Sequence, residues 1–167
     1  CLPVMGCCFT IEVVTHNNWS RSHRMALDTQ RSVFIRGYAD QLSVEFGDRL
    51  GLHVSTNAKR YSIEIARIGV QRSLVWQKEN MVGAEHPAPA NAATHGCHWP
   101  AVVHVSIPDH WRSGYYSVFM RVADPFNEPA PICTETSFVV RSPHPGRDTK
   151  ILLQRTTNTD NAYNTWG

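Results

Sequence analysis

The sequence predicts an all-β fold, an antiparallel β-sandwich, from three observations. Short apolar runs of period two recur along the chain with turn residues between them. No segment shows a sustained helical period, and strands and helices do not alternate. Ten prolines and ten glycines, with 10% aromatic residues, are typical of a loop-rich β protein. With 42% hydrophobic and 18% charged residues, the chain has enough apolar material for a buried core.

Eight runs are predicted as strands because their side chains alternate between apolar and polar, or are continuously apolar. They are residues 33–35, 42–46, 50–54, 61–65, 73–77, 103–107, 116–122 and 137–141. A period of two means that one face of each sheet is buried and the other meets water. Residues 83–100 contain Pro87, Pro89 and Pro100 and are predicted to form no regular element.

A tyrosine at the start of the seventh run sharpens the fold prediction. Tyr116 follows the turn at Ser113 and Gly114 and shares the inward face with Val118 and Met120. Immunoglobulin-like sandwiches use such a tyrosine as a corner, with its hydroxyl bonded back to the preceding loop. The alternative is an ordinary core tyrosine. The pattern favours an immunoglobulin/fibronectin-III-like sandwich.

The domain organisation follows from changes in composition. Residues 1–32 show no sustained period and are predicted to form an irregular or disordered leader, and residues 33–141 form the sandwich. Residues 142–149 are rich in proline and glycine and are predicted to be a linker. Residues 150–167 begin a new apolar run, interpreted as the truncated start of an α/β domain. Because the chain starts at cysteine and stops on an aromatic-rich stretch, we expect it to be a fragment of a longer protein.

Charge and hydropathy exclude two classes of partner. Sixteen Lys and Arg residues against fourteen Asp and Glu residues leave a net charge of +2, and the thirteen arginines and three lysines are scattered. Nucleic-acid binding requires clustered basic residues on one surface, so it is not expected. No apolar run approaches the roughly 18 residues that would cross a bilayer, so no membrane partner is expected.

Chemistry-bearing motifs are sparse. The sequence contains no nucleophile elbow, phosphate-binding loop or zinc-protease motif, and the Asp124 and Glu128 pair is interpreted as solvated. His95, Cys97 and His98 lie within four residues and would bind zinc if a fourth ligand arrived from elsewhere. Their spacing matches no established zinc pattern, so an incidental polar loop is the favoured interpretation.

The cysteines leave the redox compartment open. There are five, at irregular spacing, which argues against a complete disulfide framework. Cys97 and Cys133 either pair across the sandwich or stay as separate buried thiols, and the second interpretation is favoured.

Several stretches, in this order and spacing, resemble one protein family. They are IRGYADQLSV at residues 35–44, residues 47–48 and 52–56, RYSIEIARIG at 60–69, WRSGYY at 111–116, ILLQ at 151–154 and NAYNTWG at 161–167. Together they resemble the N-terminal region of the large (β) subunit of N,N-dimethylformamidase and its relatives, over residues 33–167. The chain departs from the family at residues 70–73, where a polar turn replaces a longer Gly-rich, Tyr-containing one.

The resemblance implies an immunoglobulin-like sandwich followed by a larger catalytic domain similar to the glutamine amidotransferase fold. It also implies that active relatives hydrolyse small N-substituted formamides at an iron ion held by tyrosines and a glutamate. Tyr163 stands in the matching Tyr-Asn-x-Trp-Gly motif and is the tentative iron ligand, since a phenolate is a hard anionic donor suited to ferric iron. The alternative is a tyrosine that packs at the start of a domain. The other ligands would lie beyond Gly167, so the chain has no complete metal site.

The function expected from the sequence is therefore that of a non-catalytic accessory domain. Its partners would be its own missing C-terminal catalytic domain and possible other subunits; no catalytic or cofactor-binding residue is assigned within it. Four large aromatic residues exceed what a small core needs, and some of them are expected to be exposed towards a partner: Trp76, Trp99, Trp111 and Phe119. Two alternatives stay open: a stand-alone module that binds carbohydrate or protein, with Trp99 and Trp111 stacking on sugar rings, and the zinc module.

Overall fold

The computed structural model describes residues 32–122, 131–147, 150 and 152. Within them the chain forms eight strands and one helix of a single turn. They are β1 (Ile35–Ala39), β2 (Ser43–Val44), β3 (Arg49–Thr56), β4 (Arg60–Ile68), β5 (Arg72–Val82), α1 (Ala92–His95), β6 (Ala101–Ser106), β7 (Gly114–Val122) and β8 (Cys133–Val140). Each of the eight predicted runs overlaps one strand, and the all-β prediction is confirmed. Apart from Ser32, Lys150 and Leu152, the predicted leader and the start of the further domain lie outside the described residues.

The strands form two sheets that pack as a sandwich. One sheet has the order β1-β3-β6 and the other has the order β2-β8-β7-β4-β5. In this arrangement β6 is followed by β7 in the opposite sheet, as in the corner-containing connection of immunoglobulin-like sandwiches. The sandwich prediction is therefore confirmed in its architecture.

The pairing of β2 with β8 is the one parallel pairing among the described strands. Ser43 and Val44 pair with Val139 and Val140 in parallel. The reason is that β1 and β2 form one extended run that changes sheets between its two halves. The Asp40 N–H donates to the Gly51 carbonyl of the first sheet, and the Val139 N–H donates to the Leu42 carbonyl in the second, at 3.0 and 2.9 Å.

The core lies between the two sheets and contains the inward-facing side chains of both. Its largest fully buried members are Tyr61, Tyr116, Phe138, Leu50, Leu52, Ile63, Ile65, Ile107, Met120, Val44, Val54 and Val118. Their burial follows from the period of two, because alternate residues of each strand face the opposite sheet. This apolar contact area is the main source of stability of the fold.

Several strands extend beyond the predicted runs, among them β5 and β8. β5 continues to Val82 and β8 begins at Cys133, whereas the apolar pattern indicated only residues 73–77 and 137–141. β5 is an edge strand of the five-stranded sheet and most of its side chains are exposed, including Lys78 and Glu79. Polar residues are therefore compatible with the strand, and charge on an edge opposes pairing with other chains.

The predicted tyrosine corner is confirmed. The Tyr116 hydroxyl donates a hydrogen bond of 2.5 Å to the carbonyl of Arg112, four residues upstream. The ring is fully buried and is stacked between Trp111, at 5.1 Å between centroids, and Phe138, at 5.4 Å. The corner thus ties the β6–β7 connection to the aromatic part of the core.

Replacement of Tyr116 by phenylalanine is expected to lower the free energy of unfolding by about 1–3 kcal/mol, because the Arg112 carbonyl loses its partner. Urea unfolding measures this. Tyr61→Phe is the matched control, since Tyr61 is 2% exposed and its hydroxyl makes no hydrogen bond within the described part of the chain. Equal losses in the two variants would contradict a specific role for the corner hydrogen bond.

The ionisation of Tyr61 predicts a loss of stability at alkaline pH. Burial raises the pKa of Tyr61 to about 12, from an ordinary value of 10.0. The folded state therefore keeps a proton that the unfolded chain releases, so this contribution is complete below pH 10 and is lost as the pH rises towards 12. Up to about 3 kcal/mol of unfolding free energy is expected to disappear over this interval. The difference between wild type and Tyr61→Phe, measured by urea unfolding at several pH values, isolates this residue; parallel pH profiles would contradict the shift.

Candidate functional site

The loop of residues 83–100 covers the outer side of the three-stranded sheet. Its anchor is Trp99, whose backbone N–H donates to the Tyr38 hydroxyl at 3.1 Å and whose indole N–H donates to the Pro87 carbonyl at 3.1 Å. The His53 Nδ1 lies 2.6 Å from the Trp99 carbonyl, so this nitrogen carries the proton and donates it. The prediction that this face of β3 meets water is therefore wrong, because the loop replaces water there.

The same loop corrects a further prediction, because residues 92–95 form the single-turn helix α1 although no regular element was expected. Of the four large aromatic residues, Trp99 and Trp111 are each only 5% exposed, whereas Trp76 and Phe119 are half-buried. Trp99 packs at 5.7 Å from the Tyr38 ring, which in turn stacks on His53 at 4.6 Å. Buried indole rings are not accessible for stacking on a sugar, so these two residues do not support the carbohydrate-binding alternative.

The residues proposed for zinc do not converge. His95 and His98 are exposed and Cys97 is half-buried, and the His95 ring lies 2.7 Å from the Thr94 hydroxyl. Among the described residues, no three His, Cys, Asp or Glu side chains are placed to share a metal ion. Burial raises the pKa of the Cys97 thiol, with an opposing effect from Arg36, and this disfavours the thiolate that a metal requires.

Other predicted site residues have different outcomes. Tyr163, Asp124 and Glu128 lie outside the described residues, so the iron-ligand role of Tyr163 stays a prediction. Cys97 and Cys133 are separate thiols, as favoured from the sequence.

A different surface combines apolar character with accessibility. It is the side of the five-stranded sheet that faces away from the core, and we name its apolar part the outer face: Ile68, Leu74, Tyr115, Phe119 and Val139. Ile68, Tyr115 and Val139 form one row across three strands. Ile68 is 39% exposed and Leu74 is 49% exposed, and the other three are half-buried. This side of the sheet therefore presents two exposed and three half-buried apolar side chains to its surroundings.

The polar groups beside the outer face already have partners on the same side of the sheet. Glu64 forms an ion pair of 2.8 Å with Arg72, and Glu135 accepts a hydrogen bond of 2.6 Å from the Ser117 hydroxyl. The Arg121 guanidinium lies over the Phe119 ring at 5.3 Å. A partner could therefore cover the apolar side chains without leaving these carboxylates unpaired.

Sequence reasoning identified only Phe119 of this face, for two reasons. The alternation in β4 was followed only to Ile65, although its continuation places Ile68 on the outer side and Arg67 on the inner side. In β5 the register shifts opposite Ile65 and Ala66, so that Trp76 pairs with the inward Ile65 while Leu74 pairs with the outward Ala66. A bulge of this type reverses the faces of the residues on either side of it, which a period of two does not reveal.

These features define the class of protein. It is an immunoglobulin-like β-sandwich with an accessible apolar face on one of its two sheets. Among the described residues, no helix is long and apolar enough to cross a bilayer. A family model described as "N,N-dimethylformamidase beta subunit-like, C-terminal" matches residues 62–167, which is more than half of the chain.

The chain belongs to the N,N-dimethylformamidase beta subunit-like family, and the resemblance inferred from the sequence is confirmed. The match begins inside β4 and continues through β5, β6, β7 and β8. It does not mark the boundary predicted at residue 150, which stays a prediction. Comparison with curated proteins gives no match.

Proposed function

We propose that this sandwich is a non-catalytic packing domain whose outer face binds the catalytic domain of the N,N-dimethylformamidase β type. The catalytic domain would belong either to the same polypeptide or to another subunit. The observation that carries the proposal is the set of accessible apolar side chains that make up the outer face, of which Leu74 and Ile68 are the most exposed.

The family match supports the choice of this sheet. Four of its five strands lie within or mostly within the matched residues, namely β4, β5, β7 and β8, whereas only β6 of the three strands in the other sheet does. The two sheets also differ in accessibility, because the loop of residues 83–100 covers part of the three-stranded sheet. The five-stranded sheet is therefore the side that offers apolar area to a partner.

The polar groups of the described sandwich support a structural role. The His53 ring donates a hydrogen bond to the Trp99 carbonyl, and the Tyr116 hydroxyl donates one to the Arg112 carbonyl. Glu64 forms an ion pair with Arg72. Each of these bonds stabilises the fold.

Binding is tested with the whole chain and the catalytic domain of an N,N-dimethylformamidase β subunit, produced as separate polypeptides and mixed in a calorimeter. Leu74→Glu is expected to weaken binding at least about tenfold, because it places an unpaired charge in the buried contact. Leu42→Glu is the matched control, since Leu42 and Leu74 are both 49% exposed but only Leu74 lies on the outer face. Absence of binding by the wild-type chain, or equal effects of the two substitutions, would overturn the proposal.

Catalysis is tested separately. The purified chain, supplied with ferric iron, is expected to give no turnover of N,N-dimethylformamide, measured as release of dimethylamine. Turnover that survives removal of trace contaminants would show that the chain itself carries an active site, and the non-catalytic role would then be wrong.

A further inference from the structure

A cavity of about 450 Å³ opens at the end of the sandwich, next to the tyrosine corner. Its lining includes the guanidinium of Arg67, the aromatic side chains of Phe46 and Trp111, and the rim residues His110 and Arg112. It is separate from the outer face, because Arg67 belongs to the inward-facing series of β4 and is paired with Tyr116. Neither the family match nor the proposed packing role assigns a function to it.

The Arg67 guanidinium has few hydrogen-bond partners within the described part of the chain. Its Nη2 donates a hydrogen bond of 3.2 Å to the Ser113 carbonyl. Its Nε is buried and has no hydrogen-bond partner within the described part of the chain. No carboxylate of those residues forms an ion pair with Arg67; the pairs involve Arg72 with Glu64, and Arg141 with Glu45. A half-buried guanidinium that has no counter-charge among these residues attracts an anion to this position.

Two glycines, which have no Cβ, leave room for the guanidinium of Arg67. A Cβ at Gly69 would lie 3.2 Å from the Arg67 Nη1, and a Cβ at Gly114 would lie 3.3 Å from its Nη2. Gly114 also has a backbone φ of +143°, which residues other than glycine rarely adopt. The backbone on both sides therefore approaches the guanidinium closely and fixes its place at the cavity wall.

The rim of the cavity is positively charged on balance. Arg112 contributes a second guanidinium, and His110 adds a further positive charge when it is protonated. One acidic residue, Asp109, also lines the cavity, but its side chain is 97% exposed and lies 3.8 Å from the His110 ring, not on Arg67. The inner wall beside the cation is aromatic. An anion with a small apolar part matches this combination of charge and surface.

We propose that this cavity is a binding site for a carboxylate, with Arg67 as its principal cation. A carboxylate has two oxygens that accept parallel hydrogen bonds from a guanidinium, and such charge-assisted pairs are the strongest that an arginine makes. The carbon skeleton next to the carboxylate would contact Phe46 and Trp111. Arg112 would attract the anion to the rim without contributing the main contact.

The direct test is nuclear magnetic resonance of the whole chain labelled with ¹⁵N, during titration with sodium acetate. The Arg67 Nε–Hε resonance and the backbone amides of Ser113 and Gly114 are expected to shift and to saturate at millimolar acetate, which corresponds to about 4 kcal/mol of binding free energy. Sodium chloride at equal ionic strength is expected to give no saturable shift. Absence of saturation up to about 100 mM acetate, or the same shifts with chloride, would overturn the proposal.

Substitution of single arginines tests whether Arg67 is the cation that binds acetate. Arg67→Gln is expected to weaken the acetate-induced shifts of Ser113 and Gly114 at least tenfold, whereas Arg49→Gln, at an exposed arginine on β3, is expected to leave them unchanged. Retention of the shifts in Arg67→Gln would contradict the assignment. The wild-type titration is an independent measurement, so the proposal stays falsifiable if Arg67→Gln does not fold.

Two probes distinguish the source of the carboxylate. N-acetyl-glutamate amide mimics the acidic side chain of a protein, and acetate mimics a free small acid. Binding of the glutamate derivative at least as tightly as acetate supports a protein side chain as the natural ligand. Exclusion of the derivative with retention of acetate supports a small free carboxylate. Failure of both probes overturns the site.

Discussion

Replacing Trp99 by alanine is expected to lower the free energy of unfolding by about 3–5 kcal/mol, the range for removal of a buried tryptophan. The indole is 5% exposed and holds the loop of residues 83–100 against Tyr38 and His53. Its loss removes the apolar contact and leaves the Pro87 carbonyl without the indole donor. Urea unfolding monitored by circular dichroism measures the change.

The loop itself supplies a second readout for Trp99. In Trp99→Ala, amide hydrogen exchange within residues 83–100 is expected to quicken more than exchange in β7, because the anchor is lost while the core stays packed. Trp99→Phe keeps an aromatic ring but loses the indole hydrogen bond and part of the apolar contact, so a loss smaller than that of Trp99→Ala, about 1–2 kcal/mol, is expected. Unfolding free energies of Trp99→Ala and wild type within 1 kcal/mol of each other would show that Trp99 is not the anchor.

Replacing Phe138 by alanine is expected to cost about 3–5 kcal/mol of unfolding free energy. Phe138 is fully buried and stacks on Tyr116 at 5.4 Å, at the end of the row that begins with Trp111. Truncation would leave a cavity in the centre of the core, which the flanking sheets cannot fill without moving. The corner tyrosine would lose its aromatic neighbour on one side.

The matched control for Phe138 is Phe119→Ala. Phe119 is half-buried on the outer face, so its truncation removes less apolar contact, and a loss of about 1 kcal/mol is expected. Unfolding by urea compares the two variants under identical conditions. If Phe119→Ala were the more destabilising of the two, the assignment of inner and outer sides of the five-stranded sheet would be reversed.

Much of the fold could be predicted from local patterns. Period-two alternation located all eight strands, and the position of Tyr116 after a glycine turn predicted the corner hydrogen bond. These features are local, since they depend on neighbouring residues in the sequence. The ends of β5 were not predicted, because an exposed edge strand accepts polar residues such as Lys78.

Features that depend on distant contacts were not predictable in this way. The parallel pairing of β2 with β8 requires the chain to change sheets after β1, and nothing local to Ser43 and Val44 indicates a partner almost 100 residues away. The burial of Trp99 depends on docking of a proline-rich loop onto Tyr38 and His53. Without that docking, an indole in a loop is reasonably expected to be exposed.

The candidate site shows the same division. Extension of the alternation in β4 by three residues would have placed Arg67 inside and Ile68 outside. The outward position of Leu74 was not accessible to such reasoning, because it depends on the register shift against Ala66. Family membership was recognised from the order of several short stretches, and the part played by Tyr163 stays a prediction.

The measurement that tests docking through the outer face most directly is hydroxyl-radical footprinting of the chain, alone and mixed with the catalytic domain of an N,N-dimethylformamidase β subunit. Leu74 and Leu42 serve as paired reporters, since both are 49% exposed in the chain alone. Oxidation of Leu74 is expected to fall at least about threefold in the mixture while oxidation of Leu42 stays constant, because only the former would be covered. Unchanged oxidation of Leu74, or protection of Leu42 in its place, would contradict the account.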